Sequence, residues 1–203
     1  MYKEYDFTPA RGAQVVFGAL VHQTIEDIHR HVIEKLPDEL NESKVLEYFE
    51  NNKRGFIKQG VHPFNEEAAR EHVLNYFKNN EETIAKVQET EFEVVVEKPD
   101  YYLKGILDLI SGEDGSIDIL DFKAQTRPDD GDEENPILES YRRQLAIYSH
   151  IVERKKGIKP SRTIIYWTGE ANKTRAVMEV GTDQEEVDSV IKHFDEVVNK
   201  IRN

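Results

Sequence analysis

Cysteine is absent from this sequence of 203 residues, which excludes disulfides, thiolate zinc sites and iron–sulfur clusters built from its own side chains. No apolar run approaches the ~20 residues that a membrane span needs. The opening stretch, Met1-Tyr2-Lys3-Glu4-Tyr5-Asp6, lacks the basic-then-apolar order of a signal peptide. A cytoplasmic protein without a membrane partner is the expectation. Basic residues are also in short supply, 27 against 40 acidic ones, for a net charge of −13. Non-specific affinity for nucleic acid comes chiefly from Lys and Arg that displace counterions from phosphates. A protein this acidic that acts on nucleic acid must concentrate its cations locally, recruit metal ions, or receive its substrate from a partner.

The hydrophobic share of 38% and the aromatic share of 9% suit one sizeable globular domain rather than a disordered or fibrous chain. Val16, Leu20, Ile25, Ile28 and Val32 form an apolar stripe that predicts a helix from Ala13 to Glu34, stopped by Pro37. Two shorter helices are expected near Lys44–Asn52 and Asn65–Asn79, with Asn65 as the cap of the second. The stretch from Asn51-Asn52-Lys53-Arg54-Gly55 to Pro63 reads as loop. From Glu91 the period becomes strand-like. Strands are expected at Phe92–Val96, Tyr101–Ile110 and Ile117–Lys123, with a turn at Gly112-Glu113-Asp114-Gly115. An acidic loop, Arg127–Pro136, then leads to a helix over Ile137–Arg154. Strands at Thr163–Thr168 and Arg175–Val180 and a helix from Asp183 to Ile201 complete the chain. This order predicts one α/β domain with a mixed sheet. Residues 1–88 form its mainly helical part and residues 89–203 its αβ core.

Chemistry is concentrated in Gly105-Ile106-Leu107-Asp108, then twelve residues, then Asp121-Phe122-Lys123. Side chains at i and i+2 of a strand share a face, so Asp121 and Lys123 project together and Phe122 points the other way. Pairing of the two strands as a hairpin brings Asp108 near Asp121. Converging carboxylates suit a hard cation such as Mg²⁺ or Mn²⁺, and a lysine beside them can stabilise charge building on a phosphate. Taken alone, the D-x-K tripeptide is equally well read as a surface salt bridge.

His22, Glu26 and His29 share one helical face. His22 could ligate a metal with Glu26 orienting its other nitrogen; a partly buried core histidine is the commoner reading of such a residue. His29 and His31 read as surface residues. Gln144 and Tyr148 stand one turn apart, with Tyr141 three residues before Gln144. Gln144 could meet a site ligand or a phosphate, whereas core packing accounts best for Tyr141 and Tyr148. Arg142 and Arg143 are candidate DNA phosphate contacts or a solvated helix face in equal measure. Asp129-Asp130-Gly131-Asp132-Glu133-Glu134 reads as a solvated connection.

In order, these motifs are Gly18 with His22, Gly105 with Asp108, Asp121 with Lys123, and Gln144-Leu145 with Tyr148. Together they resemble the RecB-type branch of the PD-(D/E)xK nucleases. The stretch Phe17–His29 is most similar to the C-terminal nuclease domain of UvrD/Rep-type helicases. The resemblance implies a restriction-endonuclease-like core, a central mixed β-sheet flanked by helices with an N-terminal helical region. It implies a Mg²⁺- or Mn²⁺-dependent deoxyribonuclease without an iron–sulfur cluster, acting on single-stranded DNA in helicase-coupled repair or recombination. By it, His22, Asp108, Asp121 and the Phe122 carbonyl bind metal, Lys123 serves the attacking water, and Gln144 and Tyr148 support the site. Glu91 or Glu93 supplies an accessory acid, and strand alternation does not choose between them. The helicase-linked relatives carry more sequence ahead of this point, so the chain reads as a domain excised from a helicase-nuclease, with the helicase as its partner. The competing readings are a non-catalytic DNA-binding or docking module and a stand-alone nuclease like those of CRISPR spacer acquisition. A zinc hydrolase built on His22, Glu26 and His29 fails for want of a further ligand.

Overall fold

A computed structural model describes residues 13–34, 39–61, 65–112, 115–128, 135–181 and 183–202. Pro37, Pro63, the turn residues Glu113-Asp114 and the acidic run 129–134 lie outside them. Three helices come first: α1 (Ala13–Glu34), α2 (Glu42–Lys58) and α3 (Glu66–Asn80). Strands β1 (Val87–Glu97), β2 (Tyr102–Ser111) and β3 (Asp118–Lys123) follow. Helix α4 (Pro136–Lys156) leads to β4 (Arg162–Trp167), a short α5 (Lys173–Ala176), β5 (Val177–Val180) and α6 (Gln184–Arg202). The sheet runs β1-β2-β3-β4-β5, antiparallel except for the β3–β4 pair. A parallel pair needs a long crossover, and α4 supplies it. No helix among the described residues is long and apolar enough to cross a membrane.

Each face of the sheet carries its own core. Leu107, Ile119, Ile165 and Trp167 pack with Leu145 and Ile151 of α4 and Val187 and Ile191 of α6. Leu109, Phe122 and Tyr166 pack on the opposite face with α1, α2 and α3, through Leu20, Ile25, Phe49, Val73 and Tyr76. Burying the sheet on both sides explains why its central strands read as nearly continuous apolar runs. Gly105 permits the close seat of α4, because a Cβ there would stand 3.0 Å from Ile151 Cδ1 and 3.4 Å from the Tyr148 ring.

Alternation fails at two neighbouring points, and both matter for function. On β2, Leu107 faces the α4 layer but Leu109 faces the α1 layer, with Ile110 back toward α4. On β1, Thr90 reaches His29 of α1, while Phe92 packs toward α4. The break on β1 falls at Glu91, whose backbone is left-handed at φ 48°. A left-handed residue other than Gly costs about 1–2 kcal/mol, so the surrounding packing has to impose it.

The structure corrects three expectations. Helix α2 runs on through Asn51-Asn52-Lys53-Arg54-Gly55 to Lys58, a stretch whose composition suggests loop. Tertiary contacts override propensity there: Asn52 donates to Asp27 of α1 at 2.7 Å, and Lys53 pairs with Glu50 and with Glu66 of α3. Residues 173–176 form a helical turn, so the last strand begins at Val177 rather than Arg175.

His29 and His31 are the third correction, being buried rather than at the surface. His31 Nδ1 meets Tyr48 OH at 2.7 Å. His29 Nε2 meets Tyr76 OH at 2.6 Å, and its Nδ1 lies 3.5 Å from Thr90 Oγ1. Thr90 in turn donates to the Asp108 carbonyl at 3.2 Å. One proton order fits the whole relay: Tyr76 O–H to His29 Nε2, His29 Nδ1–H to Thr90, and Thr90 O–H to Asp108. Burial holds the His29 imidazole down at about 3.

A histidine kept neutral in the fold but free to charge when unfolded destabilises the protein progressively as pH falls below 6.5. The slope is about 1.4 kcal/mol per pH unit until the folded value is approached. His29→Gln loses packing and is expected to melt below wild type at pH 8. Thermal scans should show that gap shrinking between pH 6.5 and 5; a constant gap would show that His29 charges freely in the fold.

Candidate active site

Strands β2 and β3 pair only from Leu109 to Ser111 against Asp118 to Leu120. Beyond Leu109 they part, and the Asp108 carboxylate replaces the missing ladder bond by accepting Phe122 N–H at 2.7 Å. Asp121 lies alongside on β3, its side chain 4% exposed, with Lys123 Nζ 2.6 Å from its Oδ2. Lys123 also donates to Gln144 Oε1 at 3.1 Å and stands 3.9 Å from the centre of the Tyr141 ring. Gln144 passes its own N–H to Tyr148 OH at 2.9 Å. Helix α4 thus grips the lysine from one side through three side chains spaced by helical turns.

His22 enters from α1, its Nδ1 3.9 Å from Asp108 Oδ2, with the Phe122 carbonyl and the Asp121 charge also within its reach. Burial holds its imidazole below the ordinary value, against the pull of Asp121. Burial raises Asp108 to about 7, and the neighbouring Asp121 charge adds to the rise. Asp121 is raised by burial as well, with Lys123 opposing. Glu91 is raised by burial and then by Asp108 and Glu26. Two like charges in a dry cleft call for a cation.

Of the two candidate accessory acids, the geometry separates what alternation leaves equal. Glu91 joins His22, Asp108 and Glu26 around one small cavity, because its left-handed backbone turns it toward β2's own phase break. Glu93 points away and pairs with Lys104 at 2.9 Å. The expected role of Glu26 behind His22 is not what the structure shows. Its carboxylate is taken by Gln23 and Arg30 on its own helix. Arg142 lines a groove with Glu179 and Glu186 beside β5, and Arg143 pairs with Glu139 at 3.1 Å. Neither shares the Lys123-facing side of α4 with Tyr141, Gln144 and Tyr148.

The donors at this centre fit a hard divalent ion: two carboxylates, a neutral imidazole and a backbone carbonyl. Among the described residues, no three carboxylate or imidazole groups yet converge into a ready set. Lys123 engages Asp121 and the Phe122 N–H engages Asp108, each through one oxygen, and a carboxylate has two. His22, Asp108, Asp121 and the Phe122 carbonyl would hold the ion.

A carboxyl group raised in the fold favours folding below its unfolded value of about 3.9, and that contribution is lost as pH rises through about 7. Asp108→Asn keeps an oxygen for Phe122 N–H and removes the charge. In EDTA it is expected to melt several degrees above wild type at pH 8, with the gain gone by pH 4. A gain that does not depend on pH would refute the buried-charge account. Glu91→Gly relieves both the backbone strain and the repulsion from Asp108. It should add about 1 kcal/mol of stability in denaturant titration.

Known proteins bear on this geometry. The PD-(D/E)XK nuclease superfamily matches residues 3–203. A crystal structure from Eubacterium rectale, described as a "Putative exonuclease", superposes with a TM-score of 0.54 at 13% identity and covers 91% of this chain. The chain spans 66% of that protein's length, and at this identity the likeness concerns the fold. No curated protein sequence matches the chain. The match over nearly the whole length, on a mixed five-stranded sheet that brings Asp108, Asp121 and Lys123 together, makes this chain a member of the PD-(D/E)XK nuclease superfamily.

Proposed function

We propose that the chain is a Mg²⁺- or Mn²⁺-dependent deoxyribonuclease of the RecB-type branch that cuts single-stranded DNA. The observation that carries this reading is the parting of β2 and β3, which sets two buried carboxylates beside one lysine. When bound, the metal polarises the scissile phosphate and lowers the pKa of a coordinated water. Asp108, Asp121, His22 and the Phe122 carbonyl would hold it. Lys123 is held beside Asp121 by Gln144 and the Tyr141 ring. From there its ammonium donates to the attacking water or to a phosphate oxygen. Gln144 and Tyr148 hold the lysine's reach rather than taking part in the bond change. Glu91, close to Asp108 and His22, would accept a hydrogen bond from water at this centre.

The net charge of −13 and the placement of Arg142 and Arg143 away from this centre support delivery of DNA by a partner. A helicase joined to the domain, in the same chain or complex, fits the motif resemblance and would supply single strands during repair or recombination. Residues Phe17–His29 carry that resemblance.

End-labelled single- and double-stranded DNA should be incubated with the protein in Mg²⁺, Mn²⁺ or EDTA, beside Asp121→Asn and Lys123→Ala. Cleavage is expected with metal, on single strands, and to fall by about 100-fold or more in either variant. Product lengths would show whether cutting starts from an end. A folded wild-type protein that leaves both DNAs intact, or a Lys123→Ala protein as active as wild type, would overturn the reading.

A further inference from the structure

Beside Lys123 the protein opens into a groove of about 720 Å³, between the first turns of α1 and α3 and the segment that follows β3. Phe17, His72 and Tyr141 supply rings along it, Gln125 and Thr126 line another part, and His22 and Lys123 also border it. The volume falls within the range of small-ligand sites, roughly 300–1,000 Å³. Among the described residues, Lys123 is the one Lys or Arg that lines it. The described lining offers an occupant ring faces and hydrogen-bonding groups beside that single cation.

The walls are held from behind. Trp167 packs on the Tyr141 ring at 5.9 Å and Lys123 covers it at 3.9 Å. Phe17 and His72 meet edge to face at 5.0 Å. Thr168 Oγ1 lies 3.0 Å from His72 Nδ1 and donates its proton to the Lys123 carbonyl at 3.3 Å. With that proton committed, the threonine oxygen accepts Nδ1–H, and His72 Nε2 is left as an acceptor. Burial lowers the His72 imidazole and keeps it neutral. The turn behind it depends on Gly169, where a Cβ would stand 2.8 Å from the Gln125 carbonyl carbon. No residue with a side chain fits there unless segment 124–126 shifts.

We propose that this groove is a nucleobase subsite that takes one unpaired base of the DNA strand next to the bond being cut. Phe17 offers its ring, which binds any base because every base has a π-face, and Tyr141 borders the same groove. His72 Nε2 accepts from an N–H on the base edge, a group that all four DNA bases carry, so the subsite holds a base without selecting its identity. A base paired in a duplex must first be unstacked to enter, at a cost of a few kcal/mol that a single strand largely avoids. Strand preference then arises from this groove. The inference rests on the nuclease reading only for the place of the scissile bond.

The test separates the two. Asp108→Asn protein in Mg²⁺ is titrated with fluorescent single strands that carry one abasic nucleotide at successive positions. The anisotropy Kd is expected to rise about tenfold at one position and little elsewhere. Phe17→Ala and Phe17→Leu, each shown folded by circular dichroism, should flatten that rise to within about twofold. A difluorotoluene nucleotide keeps the ring face but has no N–H; at the same position it should weaken binding about threefold. That threefold effect should vanish in His72→Leu. A uniform abasic scan, an unchanged scan in both Phe17 variants, or no measurable binding would overturn the subsite. Cleavage by wild type with a uniform scan would reject the subsite and leave the nuclease standing. A position-specific scan without cleavage by folded wild type would uphold the subsite and reject the nuclease.

Discussion

Two carboxylates face one another across the parting of β2 and β3, largely out of water, and the architecture around them answers that concentration of negative charge. Isolated ions in such surroundings cost several kcal/mol each unless they are paired, hydrogen-bonded or bound to metal. Asp108 is quieted by the Phe122 N–H that its strand neighbour would otherwise have bonded. Asp121 is quieted by Lys123. Asp108 and Asp121 follow the Leu109–Leu120 pair in register, and the parting of the strands there leaves the Phe122 N–H for Asp108 to accept. The defect in the sheet and the chemistry of the site are one feature.

The two helical layers hold this defect from opposite sides. Helix α4 grips Lys123 through Tyr141 and Gln144, and it approaches β2 closely because residue 105 is glycine. Tyr76 of α3, His29 of α1 and Thr90 of β1 form the buried relay that ends on the Asp108 carbonyl. His29 also stacks near Phe122 at 5.8 Å. The strand that bears the aspartate is therefore fixed from one face and the lysine from the other. Preorganisation of this kind lets a site act on developing charge without rearranging at that moment.

The same distribution of charge bears on the proposed substrate. Among the described residues, Lys123 is the one cation that lines the groove, beside the rings of Phe17, His72 and Tyr141. An acidic nuclease that grips bases would gain from a partner that brings single strands, and would bind weakly to duplexes it meets on its own. The proposed delivery by a helicase and the proposed base subsite are two answers to one shortage of positive charge.

Much of this was legible in the residues. Apolar periodicity gave every principal helix and strand, the first helix, Ala13–Glu34, to the residue, although β1 begins at Val87 rather than Phe92 and α2 runs to Lys58 rather than Asn52. The i, i+2 rule placed Asp121 and Lys123 together and Phe122 in the opposite core, since that rule is local geometry. The spacing of Gln144 and Tyr148 put both on one helical face, where they are found. What escaped was set by distant contacts. Composition made 51–58 a loop until Asp27 and Glu66 held it as helix. Polarity put His29 and His31 at the surface until Tyr76 and Tyr48 supplied partners that make burial tolerable. Alternation could not tell Glu91 from Glu93, because it assumes an unbroken pleat. The left-handed backbone at Glu91 and the phase change at Asp108 arise only when β1, β2, β3 and α1 pack together. Local periodicity fixes which residues lie on a face; where a face is broken, and which groups then meet, is decided by tertiary packing alone.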